Sequence, residues 1–255
     1  MREGVALNWY EEGGFYGPDY MAIFPAEAGS GGSEAERAIR LLALSGGERV
    51  LDVACGYGRH AVSLAQRGFH VVGLDLNAYF LGVARERGTV AGVSASFVRG
   101  DMRLLPFGPF FDAAVCLGGS FGQFATEDED LALLRETAGA LKPGGRFLLD
   151  VANRDGILSR FIGKDWDQLE DGTAVLHERR WDSLRGRVEG KTIVIGPDGR
   201  AREYQHSMRL YGAPEIQSML ARAGFEVMAL YGSLAGAAVG WDSPRVNVVA
   251  RRPLA

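Results

Sequence analysis

The sequence predicts an α/β fold, a doubly wound sheet with a small antiparallel insertion. Three observations predict it. Residues 49–75 read as one strand–turn–helix–strand unit. Short apolar strands then keep alternating with amphipathic helices as far as residue 151. Between 152 and 210 the alternation stops, and three strand-like runs take its place. Alternating β and α segments build a parallel sheet covered by helices, whereas consecutive strands build antiparallel layers.

The first 32 residues are rich in glycine and aromatics, with Trp9, Tyr10, Phe15, Tyr16, Tyr20 and Phe24. They are expected to form an N-terminal flap held by aromatic burial, with 29–32 as its hinge. Ser33 and Glu36 have capping-box spacing and predict a helix with Ala38, Ile39, Leu42 and Ala43 on one face. Val50, Leu51 and Val53 form the first strand, and Gly56 and Gly58 turn it into a helix over 59–67. Val71, Val72 and Leu74 form the second strand, closed by Asp75. A helix over 77–87, a third strand ending near Phe97-Val98 and a fourth over 111–117 follow. Thr126 and Glu129 make a second capping box, opening a helix that Lys142-Pro143-Gly144-Gly145 ends. The fifth strand takes 146–151. Strands are expected at 173–181, 187–195 and 202–210, with Gly196-Pro197-Asp198-Gly199 as the hairpin turn between the last two. Pro214 suits the first turn of a last helix, and 225–230 pairs with 246–250. The expected domains are a flap (1–32), a binding core (33–151), a lid over the binding site (152–210), and a closing helix and hairpin (211–255).

The 49–75 unit carries the chemistry. Gly56 and Gly58 let the backbone reach φ > 0 and let a ligand approach without a Cβ in the way. A carboxylate at Asp75 can accept from both hydroxyls of an adenosine ribose. Gly56, Gly58, Ala61 and Asp75 also satisfy the dinucleotide pattern, so this test alone allows NAD. Two further acids argue for another nucleoside. Asp52, inside the first strand, suits a cofactor with a cationic end better than a pyrophosphate. Asp101, after the third strand, can reach an adenine amino group.

The runs VLDVACGYGRH, VVGLDLN, FVRGDMRLLPF, FDAAVCLGGSFGQF and LKPGGRFLLDV resemble, in order and spacing, the motifs of class I S-adenosylmethionine-dependent methyltransferases. The resemblance implies a Rossmann-like seven-stranded sheet with an antiparallel hairpin end. It also implies the cofactor, S-adenosyl-L-methionine, with S-adenosyl-L-homocysteine as product. Asp52, Ala54, Cys55, Gly56, Gly58, Asp75, Leu76, Asp101, Met102, Leu117 and Gly118 are then the cofactor-binding candidates. Ser120, Phe121, Phe124, Tyr204 and Arg245 are candidates to border the acceptor, with Gln123 among them. Tyr16, Tyr20 and His206 are the catalytic candidates, needed as base only where the acceptor is protonated. The expected reaction is in-line methyl transfer to a nitrogen, oxygen or carbon of a small molecule. An RNA methyltransferase, an NAD-dependent oxidoreductase and a non-catalytic binder of the same cofactor are the competing readings.

Composition narrows these. The 255 residues suffice for one sizeable core, and a net charge of −4 disfavours a broad nucleic-acid face. No apolar run approaches the roughly 20 residues of a membrane span, and the N-terminus lacks a signal-peptide core. Two cysteines, Cys55 and Cys116, give no disulfide framework and fit a reducing cytoplasm; they read as buried thiols rather than a redox pair. The four histidines show no metal-ligand spacing, so no metal is expected. A monomer or a homodimer is compatible with all of this.

Overall fold

The computed structural model describes Tyr10 and residues 14–254. The strands are β1 (Arg49–Val53), β2 (His70–Asp75), β3 (Ser96–Arg99), β4 (Phe111–Cys116), β5 (Leu141–Ala152), β6 (Lys164–Gln168), β7 (Ala174–Asp182), β8 (Arg187–Ile195), β9 (Ala201–Arg209), β10 (Glu226–Tyr231) and β11 (Arg245–Arg251). The helices are α1 (Pro18–Ile23), α2 (Pro25–Leu41), α3 (Arg59–Ala65), α4 (Ala78–Val90), α5 (Glu127–Ala140), α6 (Arg154–Leu158) and α7 (Ala213–Arg222). Among the described residues one sheet has the order β10-β11-β5-β4-β1-β2-β3 and the other β6-β7-β8-β9. Strands β1 to β5 pair in parallel, while β11 is antiparallel to both β5 and β10. Strand order reverses between β1 and β4, and in such sheets ligands bind at the carboxyl ends beside the reversal.

The central strands are buried on both faces, which is why they read as unbroken apolar runs. Successive residues point to opposite sides. Val50, Ala113, Val115 and Leu148 pack with Leu42 and Leu64 beneath α2 and α3. Leu51, Ala114, Phe147 and Leu149 pack on the other side with Leu131 and Leu134 of α5 and with Ile216 and Leu220 of α7. Full burial of each such leucine or isoleucine contributes about 1.5–3 kcal/mol.

A buried polar pair locks this second layer to the loop after β4. Tyr211 donates its hydroxyl to Asp130 (2.6 Å), and the Gly122 amide donates to the other Asp130 oxygen (3.2 Å). Burial pushes the Asp130 carboxyl up to about 6.

Helices α1 and α6 stand where the sequence reading expected none, and three other elements depart from it. Helix α2 begins at Pro25, so the expected hinge and the Ser33 cap lie within a helix. Packing supplies the reason: a Cβ on Gly31 would sit 2.5 Å from the Arg59 carbonyl oxygen. There glycine lets two helices approach rather than bend a hinge. Strand β5 starts at Leu141, not Arg146, because Gly144 and Gly145 exchange backbone hydrogen bonds with Arg252 and are drawn into the sheet. The insertion holds four strands, not three. The extra one, β6, is exposed throughout and alternates charge with Trp166, so it carries no apolar signal. Elsewhere the reading agrees: Thr126 caps α5 through the full capping box, Pro214 lies in the first turn of α7, and Cys55 and Cys116 are buried free thiols.

Candidate active site

At the carboxyl ends of β1, β2 and β4 lies a cleft of roughly 890 Å³, open mouth included. The turn after β1 forms its floor. Gly56 has φ 53°, and nothing lies within 4 Å of where its Cβ would be, so its face is open to a ligand. Gly58 serves packing instead: at φ 77° it starts α3, and a Cβ there would meet the Ala84 Cβ at 2.8 Å. Ala54 holds the left-handed φ of 56° without being glycine. That conformation costs an L-residue about 1–2 kcal/mol, partly offset by the lower chain entropy of alanine when unfolded. Ala54→Gly is therefore expected to leave the melting temperature unchanged or raise it by about 2–4 °C. A clear fall in a calorimetric melt would refute strain at this turn.

Asp75 reaches the cleft with both oxygens already anchored. Oδ2 accepts from the Gly56 amide (2.7 Å) and Oδ1 from the Asn77 amide (2.9 Å). Each oxygen keeps a further lone pair. Burial raises its pKa, opposed by those amides. Asp101 also lines the cleft. Burial works against its charge, but Arg103 overrides this with a side-chain fork (Nη2 to Oδ2, 2.6 Å) and holds the carboxyl below the usual range. Arg103 also pairs with Glu129 and lies over the Phe124 ring, tying this wall to α5.

Asp52 is fully buried and sits behind the turn rather than in the cleft wall. Its Oδ2 has no hydrogen-bond partner among the described residues. Burial pushes its pKa up to about 6, moderated by His60 and Arg59. The folded value lies above the unfolded one, so this carboxylate destabilises the fold above pH 6, and the penalty fades as pH falls toward 4. Arg59 and His60 do line the cleft, and both contact Glu34 of α2, His60 at 2.6 Å.

The N-terminal segment contributes aromatic side chains to the lining. Tyr10, Tyr16 and Tyr20 line the cleft with Phe80 and Phe124. Asn77 donates its side-chain amide to the Tyr16 carbonyl (2.6 Å), and Gln123 donates to the Tyr16 hydroxyl oxygen (2.7 Å). Ala54, Cys55, Leu76, Met102, Leu117, Gly118 and Ser120, all candidates from the sequence, also line the cleft.

Five other candidates stand away from the cleft. Phe121 is buried against Tyr211 in the core. Arg245 forks onto Asp150, whose Oδ2 also accepts from the Gly118 amide (3.1 Å), so it braces the loop from behind. Tyr204 bonds Asp19, and His206 stacks on Phe15. Burial pushes His206 down to about 4, helped by Arg179 and His177, leaving it a weak base. Gly58 is the fifth. In turn, the sequence reading passed over Tyr57, Asn77, Phe80 and Arg59 as lining residues. For Asn77 a signal existed, since it caps α4 two residues after Asp75. Tyr57 sits between the two glycines and could have been read from that place.

Comparison with known proteins bears on what binds here. The family described as "Methyltransferase domain" matches residues 50–145. A glycine/sarcosine N-methyltransferase of Halorhodospira halochloris is 39% identical over 128 residues, 49% of this chain and 48% of that one, so the match spans about half of that relative. The dTDP-3-amino-3,6-dideoxy-alpha-D-glucopyranose N,N-dimethyltransferase of Streptomyces fradiae is 30% identical over 194 residues, 73% of each chain. A solved amino pentose methyltransferase from Micromonospora echinaspora, bound to S-adenosylmethionine, superposes with a TM-score of 0.70 at 28% identity, covering 91% of this chain and 96% of that one. A likeness of this length, on a chain whose cleft opens at the glycine turn between β1 and α3, leads to one assignment: the protein belongs to the class I S-adenosylmethionine-dependent methyltransferases.

Proposed function

We propose that this methyltransferase acts on an amine of a small molecule. One observation carries the reading: the cleft is lined by three tyrosines, Tyr10, Tyr16 and Tyr20, with Phe80 and Phe124 beside them. Support for an amine comes from two relatives named for N-methylation, one of glycine and sarcosine and one of an amino sugar nucleotide.

The residues fit the cofactor. The open face of Gly56 is a cradle that a Cβ would obstruct. Asp75 offers its remaining lone pairs to ribose hydroxyls, Leu76 an apolar wall, and Asp101 and Met102 a rim for adenine. Arg59, which lines the cleft, supplies a cation for the methionine carboxylate. When bound, the cofactor supplies an electrophilic methyl on a sulfonium. The protein's part is position. Tyr16, held at both its carbonyl and its hydroxyl, and Tyr20 close the roof and exclude water. Ser120, Gln123 and Phe124 border the space left for the acceptor. Holding the reacting atoms in line near contact lowers the barrier by about 7–11 kcal/mol.

The test is a thermal melt with S-adenosylhomocysteine or NAD, followed by methyl-transfer assays on amino sugars, glycine, phenols and tRNA. S-adenosylhomocysteine at a hundred times its Kd should stabilise the fold by about 2.7 kcal/mol, with NAD inert and product formed only on amines. Methylation confined to a hydroxyl or to tRNA would overturn the amine assignment.

A further inference from the structure

Strands β6 to β9 contribute none of the described residues that line the cleft. Among the described residues they meet the roof over it at Asp19 and Phe15. Asp19, on α1, accepts from Arg202 at both oxygens (Nε to Oδ2, 2.6 Å; Nη2 to Oδ1, 3.0 Å) and from the Tyr204 hydroxyl (2.7 Å). Arg202, Tyr204 and His206 alternate along β9 and so share one face of the sheet. Phe15 packs on that same face, 5.4 Å from the Tyr204 ring and stacked 6.1 Å from His206. The residues directly after these anchors, Tyr16 and Tyr20, line the cleft. The flap is thus held from two sides. Asn77 and Gln123 hold it to the core, and Asp19 and Phe15 hold it to the insertion.

The pair between Asp19 and Arg202 adds little stability by itself, because Arg202 is about half exposed. What it adds is orientation. A forked guanidinium fixes the plane of the carboxylate, and the Tyr204 hydroxyl fixes its height above the strand. Any movement of the tyrosine roof as ligand enters or leaves must break this contact or drag β9 along.

We propose that Asp19 is a positioning residue that latches the flap to the insertion sheet, so that Arg202 and Tyr204 set how fast the tyrosine roof opens and the spent cofactor leaves. The inference rests on reading the cleft as the cofactor site.

The test compares the full chain with D19N, R202Q, Y204F and the double variant D19N/R202Q. Hydrogen exchange of residues 14–24 is followed without ligand, and release of S-adenosylhomocysteine is followed by stopped-flow displacement. In D19N and R202Q the flap amides should exchange faster, and the ligand should leave roughly tenfold faster. The double variant should be no faster than either single one, because all three break the same contact. Y204F should show a smaller change, and melting temperatures should stay within a few degrees of the parent. Unchanged flap exchange in D19N and R202Q overturns the latch, as do parental release rates or additive effects. A parent protein that binds no S-adenosylhomocysteine overturns the reading of the cleft instead, and the exchange data then still decide the latch.

Discussion

Asp75→Ala is expected to weaken S-adenosylhomocysteine binding by about a hundredfold, roughly 2.7 kcal/mol, in titration calorimetry. Two losses add to this figure. The first is the proposed contact of a charged acceptor with the ribose; one hydrogen bond to an ionised group contributes about 1.5–3 kcal/mol. The second lies in the protein. Asp75 accepts the amides of Gly56 and Asn77, and so pins the glycine turn to the start of α4. Alanine strands both donors, and the turn loses the shape that offers Gly56 to the ligand. Asp75→Asn keeps the size and two acceptor lone pairs, so it should fall between parent and alanine. Parental affinity in Asp75→Ala would remove this carboxylate from the site.

Gly122→Ala should be the more damaging change to the fold. Gly122 sits at φ 90°, and a Cβ there would lie 2.3 Å from the Arg209 carbonyl oxygen, a backbone atom with no freedom to swing away. The same glycine accepts from the Arg209 amide (2.7 Å) and donates to buried Asp130 (3.2 Å). Relieving the clash parts the loop after β4 from the end of β9. Left-handed strain of about 1–2 kcal/mol and one or two broken hydrogen bonds near 1 kcal/mol each together give about 3 kcal/mol. For a chain of this size that is roughly 6–12 °C in melting temperature. Gln123 and Phe124 ride on the displaced loop, so the hold on Tyr16 should loosen and ligand affinity fall as well. A melt that matches the parent would show that the loop accommodates a Cβ, contrary to the contact described.

Much of the architecture was readable in the chain. Buried strands such as β1, β2 and β4 declare themselves as apolar runs, and the Thr126–Glu129 box marks the start of α5 by chemistry local to four residues. The glycine turn and Asp75 were legible for the same reason: their spacing lies within one supersecondary unit, where sequence distance fixes spatial distance. What failed was what depended on remote neighbours. Gly31 reads as flexible until the Arg59 carbonyl is placed against it, and β6 reads as loop because an exposed edge strand needs no apolar face.

By itself, then, the sequence determined the parallel core, the glycine turn, the acids at 75 and 101 and the family those motifs resemble. Only the tertiary structure decided which side chains meet in the cleft. It set Asp52 behind the turn, put Arg245 to bracing Asp150, and brought Asp19 against Arg202, 183 residues away. Local pattern records which face of an element is apolar; it does not record which distant polar groups that face will bring together, because those pairings are settled by packing.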